Sequence, residues 1–382
     1  MPQSLQDVDS LLEQFQALED PRVNINRRHL LGDLIVISIM AVIAGADGPL
    51  AIGTGAENNE QWLTKRLQLP HGIPSQDTIG RLLTALKPSA FQRCFQSWIA
   101  SVSVPNDVVD LNQIAIDGKV LRRSHDRRRG LGPLWLVSAW AVDRGMSLGQ
   151  LATDEKSNEI TAIPELIDSI EINGAVITID AAGRRRAIAA KIIEGHGDYV
   201  LALKGNQGNL YDAVTKYFAT HKTNDFADIN VRTHAETLKG HRRVDEITYY
   251  QMPVPADFVN RDKWARLKTI GVAIRQSTSG HKSTTDVRYD ISSLAMGVKQ
   301  LARFIRGHWA IENSLHWCLD VTFREDECRV RQRTAANNLA WRKRFGLSLL
   351  KQQNDKHSIA MRRRVAGWNL DYLAQVPGIP ML

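Results

Sequence analysis

Two aspartates stand out by what precedes them. Asp117 in "IAIDGK" and Asp180 in "VITIDAAG" each follow apolar or β-branched residues and precede small ones. That is the pattern of an acid at the carboxyl end of a buried strand. Burying a carboxylate there is costly unless it is paired or binds a cation. Strand ends are also where α/β sheets place ligands. A capping role in the following turn is the alternative for either residue alone. Two such acids in one sheet shift the balance. If their strands are neighbours, the carboxylates come within several ångströms, and a divalent metal with oxygen ligands neutralises them best. Glu312 in "HWAIENSLHWCLDVTFREDE" can supply a third acid. Ile305, His308, Glu312 and Leu315 recur at three- and four-residue steps and share one helix face, whose apolar members put Glu312 at a buried edge. Two Asp and one Glu around two Mg²⁺ ions roughly 3.5–4 Å apart suit in-line phosphodiester chemistry. Mn²⁺ is the natural substitute.

Basic runs lie close to these acids. "RRSHDRRR" starts at Arg122 and "RRR" at Arg184. Such runs are often solvated faces, but directly after the two aspartates they are placed to meet phosphates. The candidates for nucleic-acid contact are Lys119, Arg122, Arg123, Arg184, Arg185, Lys204, Arg306, His308 and Trp309. Lys204, ending "DYVLALK", either reaches the reacting strand or extends to water. Trp309 either stacks on a base or, more simply, packs in the core. Asn313 and Asp320 are placed to support the acids from behind. Further basic residues near the C-terminus, Arg342, Lys343, Arg344, Arg362, Arg363 and Arg364, read as another charged face. His308, His316, Cys318 and Cys328 match no zinc-ligand spacing.

The elements that must position these groups fall into blocks. From Leu5 to about Val104 the pattern is helical: "LLEQFQALEDP" ends at Pro21, "HLLGDLIVISIMAVIAG" ends at Gly45, and "PSQDTIGRLLTAL" opens on Ser75 as N-cap. "QIAIDGKVLR", "PLWLVSAWAVD" and "MSLGQLATDE" predict an antiparallel three-strand meander. "EITAIPELIDSI" and "RRAIAAKIIEGHG" then predict helices alternating with the buried strands "GAVITID" and "DYVLALK", which describes a mixed α/β sheet. Three more strands, "RVDEITYYQMPV", "ARLKTIGVAIRQS" and "TTDVRYDISSL", precede a return to helix in "VKQLARFIRGHWAIENSLHWCL" and "AANNLAWRKRFGLSLLKQQ".

The chain has 382 residues, 43% hydrophobic and 24% charged, with a formal net charge of +8. This is a globular composition that excludes disorder and favours phosphate-rich partners. Its three cysteines show no paired spacing, consistent with reduced thiols. The start carries acids rather than a signal peptide's basic region, and the apolar run Leu34–Ala46 falls short of the ~20 residues that cross a bilayer. A cytoplasmic protein with no membrane association is expected.

Beyond the acids, "DPRVNINRRHLLGDLIVISIMAVIAGADG", "GIPSQDTIGRLL", "DYVLALKGNQ" and "RGHWAIENSLHWCLDVTFREDECRVR" together cover nearly the whole chain. With "IAIDGK", they resemble the blocks of bacterial DDE insertion-sequence transposases of the H-repeat-associated (Rhs-linked) group. The resemblance implies an α/β fold: an RNase H-like mixed-sheet catalytic core with a β-rich insertion, preceded by an all-helical N-terminal domain. The expected boundaries are residues 1–105 for the helical domain, 106–221 for the first part of the core, 222–292 for the insertion and 293–382 for the Glu-bearing helix and tail. It also implies that Asp117, Asp180 and Glu312 are the catalytic, metal-binding carboxylates. The expected partners are the element's terminal inverted repeats and target DNA, met by a homodimer in the synaptic complex and acting on the bacterial nucleoid. A non-catalytic DNA-binding descendant, or a metal nuclease that cuts without joining, are the alternatives. Where related transposases carry a Tyr-Arg-Glu-Lys signature, this chain has Ile305, His308, Glu312 and Leu319.

Overall fold

The computed structural model describes residues 15, 17–23, 27–102, 112–153, 159–180, 186–205, 208–240 and 243–377. Of the helix expected over "LLEQFQALEDP", residues 11–14 and 16 lie outside the described residues, as do Arg184 and Arg185. The longer helices of the N-terminal layer are α1 (Leu31–Ala44), α2 (Pro49–Asn58), α3 (Gln76–Ala85) and α4 (Pro88–Val102), with a single turn at Glu60–Leu63 between α2 and α3. Helix α1 is apolar on nearly every side and accordingly buried. It stops at Gly45, whose φ of 130° a side-chain-bearing residue rarely adopts. Ser75 caps α3 as its sequence predicts, its hydroxyl accepting the Thr78 N–H. Among the described residues no single helix is long and apolar enough to cross a membrane.

A nine-stranded mixed sheet follows. The first part comprises β1 (Gln113–Leu121), β2 (Leu134–Ala141), β3 (Met146–Thr153), α5 (Glu159–Asp168), β4 (Val176–Ile179), α6 (Arg186–Glu194), β5 (Asp198–Leu203) and α7 (Asn209–Thr223). The second adds β6 (Arg232–Gly240), β7 (Arg243–Pro253), β8 (Thr269–Ser279) and β9 (Lys282–Ser292). The order across the sheet is β3-β2-β1-β4-β5-β9-β8-β7-β6. Strands β1 to β3 form the expected antiparallel meander, while β1, β4 and β5 run parallel. This is the RNase H-like arrangement. The β-rich segment continues the same sheet, because β9 pairs antiparallel with β5. Strand β6 was not anticipated: it is an exposed edge strand, Arg-Thr-His-Ala-Glu-Thr-Leu-Lys-Gly, without the apolar alternation that marks a half-buried one.

Helix α8 (Val298–Ile311) crosses the sheet, and α9 (Arg333–Lys351), α10 (Ile359–Trp368) and α11 (Leu370–Gln375) close the fold against α1. Here the sequence reading needs correcting. Arg342, Lys343 and Arg344 do not form a charged face; they lie on the central helix α9, each at most 1% exposed. Arg342 donates to Ser38 and to the Asn338 carbonyl and lies over the Phe91 ring. Arg344 pairs with Glu325 at 2.6 Å. Arg362 and Arg363 are also buried, holding the Leu350 and Val42 carbonyls. A 3.6-residue pattern cannot distinguish a solvated basic stripe from a buried one whose charges meet acids and carbonyls from distant segments.

Candidate active site

Strands β1 and β4 are parallel neighbours, with Ile116 beside Ile179. The next residues, Asp117 and Asp180, therefore stand at the same level; β4 ends there, but Asp117 lies within β1, which runs on to Leu121, and not at its carboxyl end as expected. Helix α8 lies over these strands in matching steps. The Gln113 side-chain amide donates to the Phe304 carbonyl at 2.7 Å, and one turn later His308 Nδ1 sits 3.1 Å from the Thr178 hydroxyl. Four helical residues rise about 6 Å, and two strand residues about 6.6 Å. One further turn thus brings Glu312 level with Asp117 and Asp180. Gly307 permits this close crossing, because a methyl there would overlap the buried Gln113 side chain.

Glu312 is not at a buried edge: its side chain is 68% exposed, although Ile305, His308 and Leu315 on the same face are buried. By that level the helix has run past the end of β4, and its face looks into an open cleft of about 880 Å³. At this point the helix also changes form. Glu312–His316 and Cys318–Thr322 are π turns, the first closed by the Trp317 N–H to the Glu312 carbonyl. Single π turns are frequent at functional sites.

The donor atoms of Asp117, Glu312 and His316 lie within 4.8 Å of one another. His316 Nδ1 is 3.5 Å from an Asp117 carboxylate oxygen and 3.9 Å from one of Glu312. Asp180 is not in this group; its carboxylate pairs with Lys204 Nζ at 2.9 Å. Carboxylate oxygens with one imidazole nitrogen suit a divalent ion of the Mg²⁺–Mn²⁺ type, and the ammonium on Asp180 marks a second place where positive charge is held. The donor set fits divalent metal. In the sequence His316 reads only as one of the group His308, His316, Cys318 and Cys328, which matches no zinc spacing; its i+4 spacing from Glu312 is the signal that points to the acids.

Behind the acids lies a buried ionic layer. Lys119 is not free to face DNA: it is buried, with Nζ 2.5 Å from Asp320, 3.1 Å from Asp326 and 4.0 Å from Glu325. Burial raises the Asp320 carboxyl above its ordinary range despite its Lys119 partner. Burial also pushes Glu325 up, but Arg344, Lys119 and Lys343 together hold it below the usual value. His316 is pushed down to about 3 by burial and then by Arg344 and Lys119, so its ring is neutral at pH 7.

The other candidates divide. His308 is buried against Thr178, where it fixes α8 to β4 instead of meeting a ligand. Trp309 is half-buried against the α8 core cluster, with the Arg275 and Arg288 guanidiniums 5.9 and 5.7 Å from its ring centre. It lines the cleft together with Asp180, Lys204, Arg306, Glu312 and Asn313. Arg306 pairs with Glu236 at 2.6 Å but stays half exposed. Arg122 and Arg123 are exposed, Arg122 reaching Asp326 at 3.1 Å. The cleft walls on the β7–β9 side add Arg243, Arg275 and Arg288, which sequence reasoning did not select.

A family model described as "Transposase DDE domain" matches residues 110–349, and another described as "DDE_Tnp_1-associated" matches residues 12–99. The chain belongs to the DDE transposase family. It is 35% identical to "Putative transposase YncI" of Escherichia coli O157:H7, over 97% of this chain and 94% of that protein. It is also 35% identical to "H repeat-associated putative transposase YhhI" of Escherichia coli strain K12, over 97% and 98%. These relatives support the H-repeat-associated grouping. A solved piggyBac transposase synaptic complex with hairpin DNA overlaps at TM-score 0.40 and 10% identity, covering 98% of this chain and 78% of that one; at that distance the likeness carries no argument. The family is one of DNA transposases, enzymes dependent on divalent metal.

Proposed function

We propose that this chain cuts DNA at the terminal inverted repeats of an insertion sequence and joins the freed 3′-hydroxyl ends to target DNA. The supporting observation is the coincidence of level of the three acids across β1, β4 and the helix. Asp117 and Asp180 stand side by side past Ile116 and Ile179, and Glu312 comes one helical turn beyond the His308–Thr178 contact. In this reading Asp117, Asp180 and Glu312 hold two Mg²⁺ ions, for which Mn²⁺ substitutes. When bound, such ions lower the pKa of the attacking water or 3′-hydroxyl and stabilise the leaving oxygen.

The chain's own residues do the rest. Lys204 covers Asp180 with positive charge in the free protein and turns to a phosphate when DNA enters. Arg122 and Arg123 on the outer side, and Arg243, Arg288 and Arg306 in the cleft, track the backbone by neutralising phosphates. The half-exposed Trp309 ring, with the Arg275 and Arg288 guanidiniums nearby, is placed to contact a base near the cut. Two ends must be held for joining, which calls for a homodimer on DNA at the nucleoid. A labelled terminal-repeat duplex incubated with the protein and Mg²⁺ tests the reading. Joined product is expected. Cut product alone would make the chain a nuclease, and shifted but uncut DNA a binding protein.

A further inference from the structure

We propose that His316 is a direct ligand, through Nδ1, of the divalent ion held by Asp117 and Glu312. The inference rests on the metal-dependent reading above and adds a nitrogen donor to a site otherwise built of oxygens. His316 is 7% exposed, yet Nδ1 faces both carboxylates, 3.5 Å from Asp117 and 3.9 Å from Glu312. A buried imidazole is normally hydrogen-bonded at both nitrogens. Here Nε2 is buried with no hydrogen-bond partner among the described residues, and so is Oε2 of Glu325, a carboxylate close enough to act electrostatically on His316.

Metal binding leaves that nitrogen with a proton to donate. Ligation through the Nδ1 lone pair puts the ring proton on Nε2, and a metal-bound histidine usually donates that proton to a carboxylate, which fixes its tautomer and orientation. Glu325, held by Arg344 at 2.6 Å, is the carboxylate whose charge acts on His316, although the two are not hydrogen-bonded in this structure. The π turn from Glu312 to His316 then has a function: it presents both side chains to one ion from a single turn of chain. An imidazole donor also favours Mn²⁺ over Mg²⁺ more than carboxylates alone would.

The test uses the full chain without DNA, loaded with Mn²⁺ alone, and electron spin-echo envelope modulation as readout. Wild type is expected to show ¹⁴N modulation from one coordinated imidazole. His316→Gln is expected to lose it while still binding Mn²⁺, about tenfold or more weakly. Asp117→Asn, which keeps every histidine, is expected to lose the signal with the ion. Bound Mn²⁺ without ¹⁴N modulation in wild type, or modulation that persists in His316→Gln, would overturn the assignment and leave the carboxylate site standing. Mn²⁺ binding that Asp117→Asn does not weaken would instead sink the metal reading itself.

Discussion

Replacing Glu325 by Gln tests the buried ionic layer that backs the site. Glu325 is 2% exposed and pairs with Arg344, which is fully buried, while Lys119 and Lys343 lie close enough to stabilise its charge. The amide keeps the shape but removes the negative charge, leaving Arg344 with one nitrogen that already lacks a partner. Breaking a buried pair from one side typically costs about 3–5 kcal/mol, a large share of the ~5–15 kcal/mol that holds a domain together. With a urea slope near 3 kcal/mol per molar, the unfolding midpoint at pH 7 should fall by about 1 M or more. The pH dependence carries the sign. Glu325 sits below its ordinary value of 4.5 when folded, so its contribution is complete above that value and is lost as pH falls through the folded one. The Gln variant should therefore lack this part of the acid destabilisation and approach wild type at low pH. An unchanged midpoint at pH 7, or a difference that stays constant down the acid range, would refute the reasoning.

Other consequences follow from individual side chains. Gly307→Ala should destabilise by about 1–3 kcal/mol through overpacking against Gln113, with α8 displaced and DNA cleavage reduced; a fully active variant of wild-type stability would contradict the close crossing. His308→Ala should cost about 1 kcal/mol or more by removing its buried hydrogen bond to Thr178, which keeps only the Gln113 amide, yet leave the salt dependence of DNA binding unchanged, which a binding titration across ionic strength checks. In the same titration, replacing Arg122 and Arg123 together by Ala should lower the slope by about 0.9 for each phosphate that is no longer neutralised. Lys204→Met should tighten Mn²⁺ binding only a few-fold, because an exposed ion pair is worth about 1 kcal/mol or less; calorimetric titration reads the change.

Sequence made the two acids legible because each follows a short apolar run, but only β4 stops at its Asp180; β1 carries on past Asp117 to Leu121. Apolar content is what buries a strand, and it is visible residue by residue. Helix α8 was equally plain, but its change to π turns at Glu312 was not, since no local residue type marks an i→i+5 bond. The same limit hid His316, whose partner Asp117 comes from a strand almost 200 positions earlier. The role of His308 was legible only in three dimensions: its position invites comparison with a phosphate-binding Arg, whereas its ring closes on Thr178. Lys119 and the cations of α9 misled for one reason. A charge in the sequence says nothing about what will meet it in the core: here Asp320 and Asp326 meet Lys119, Glu325 meets Arg344, and Arg342 meets only the Ser38 hydroxyl and a carbonyl.

The central claim, that Asp117 with Asp180 and Glu312 carries phosphodiester chemistry on transposon ends, is tested most directly with Asp117→Asn. A labelled terminal-repeat duplex that wild type cuts should be bound by this variant with near-wild-type affinity in Mg²⁺ but neither cut nor joined, because in this account the substitution removes a metal ligand and leaves the phosphate-binding cations in place. Cleavage at the wild-type rate would contradict the account.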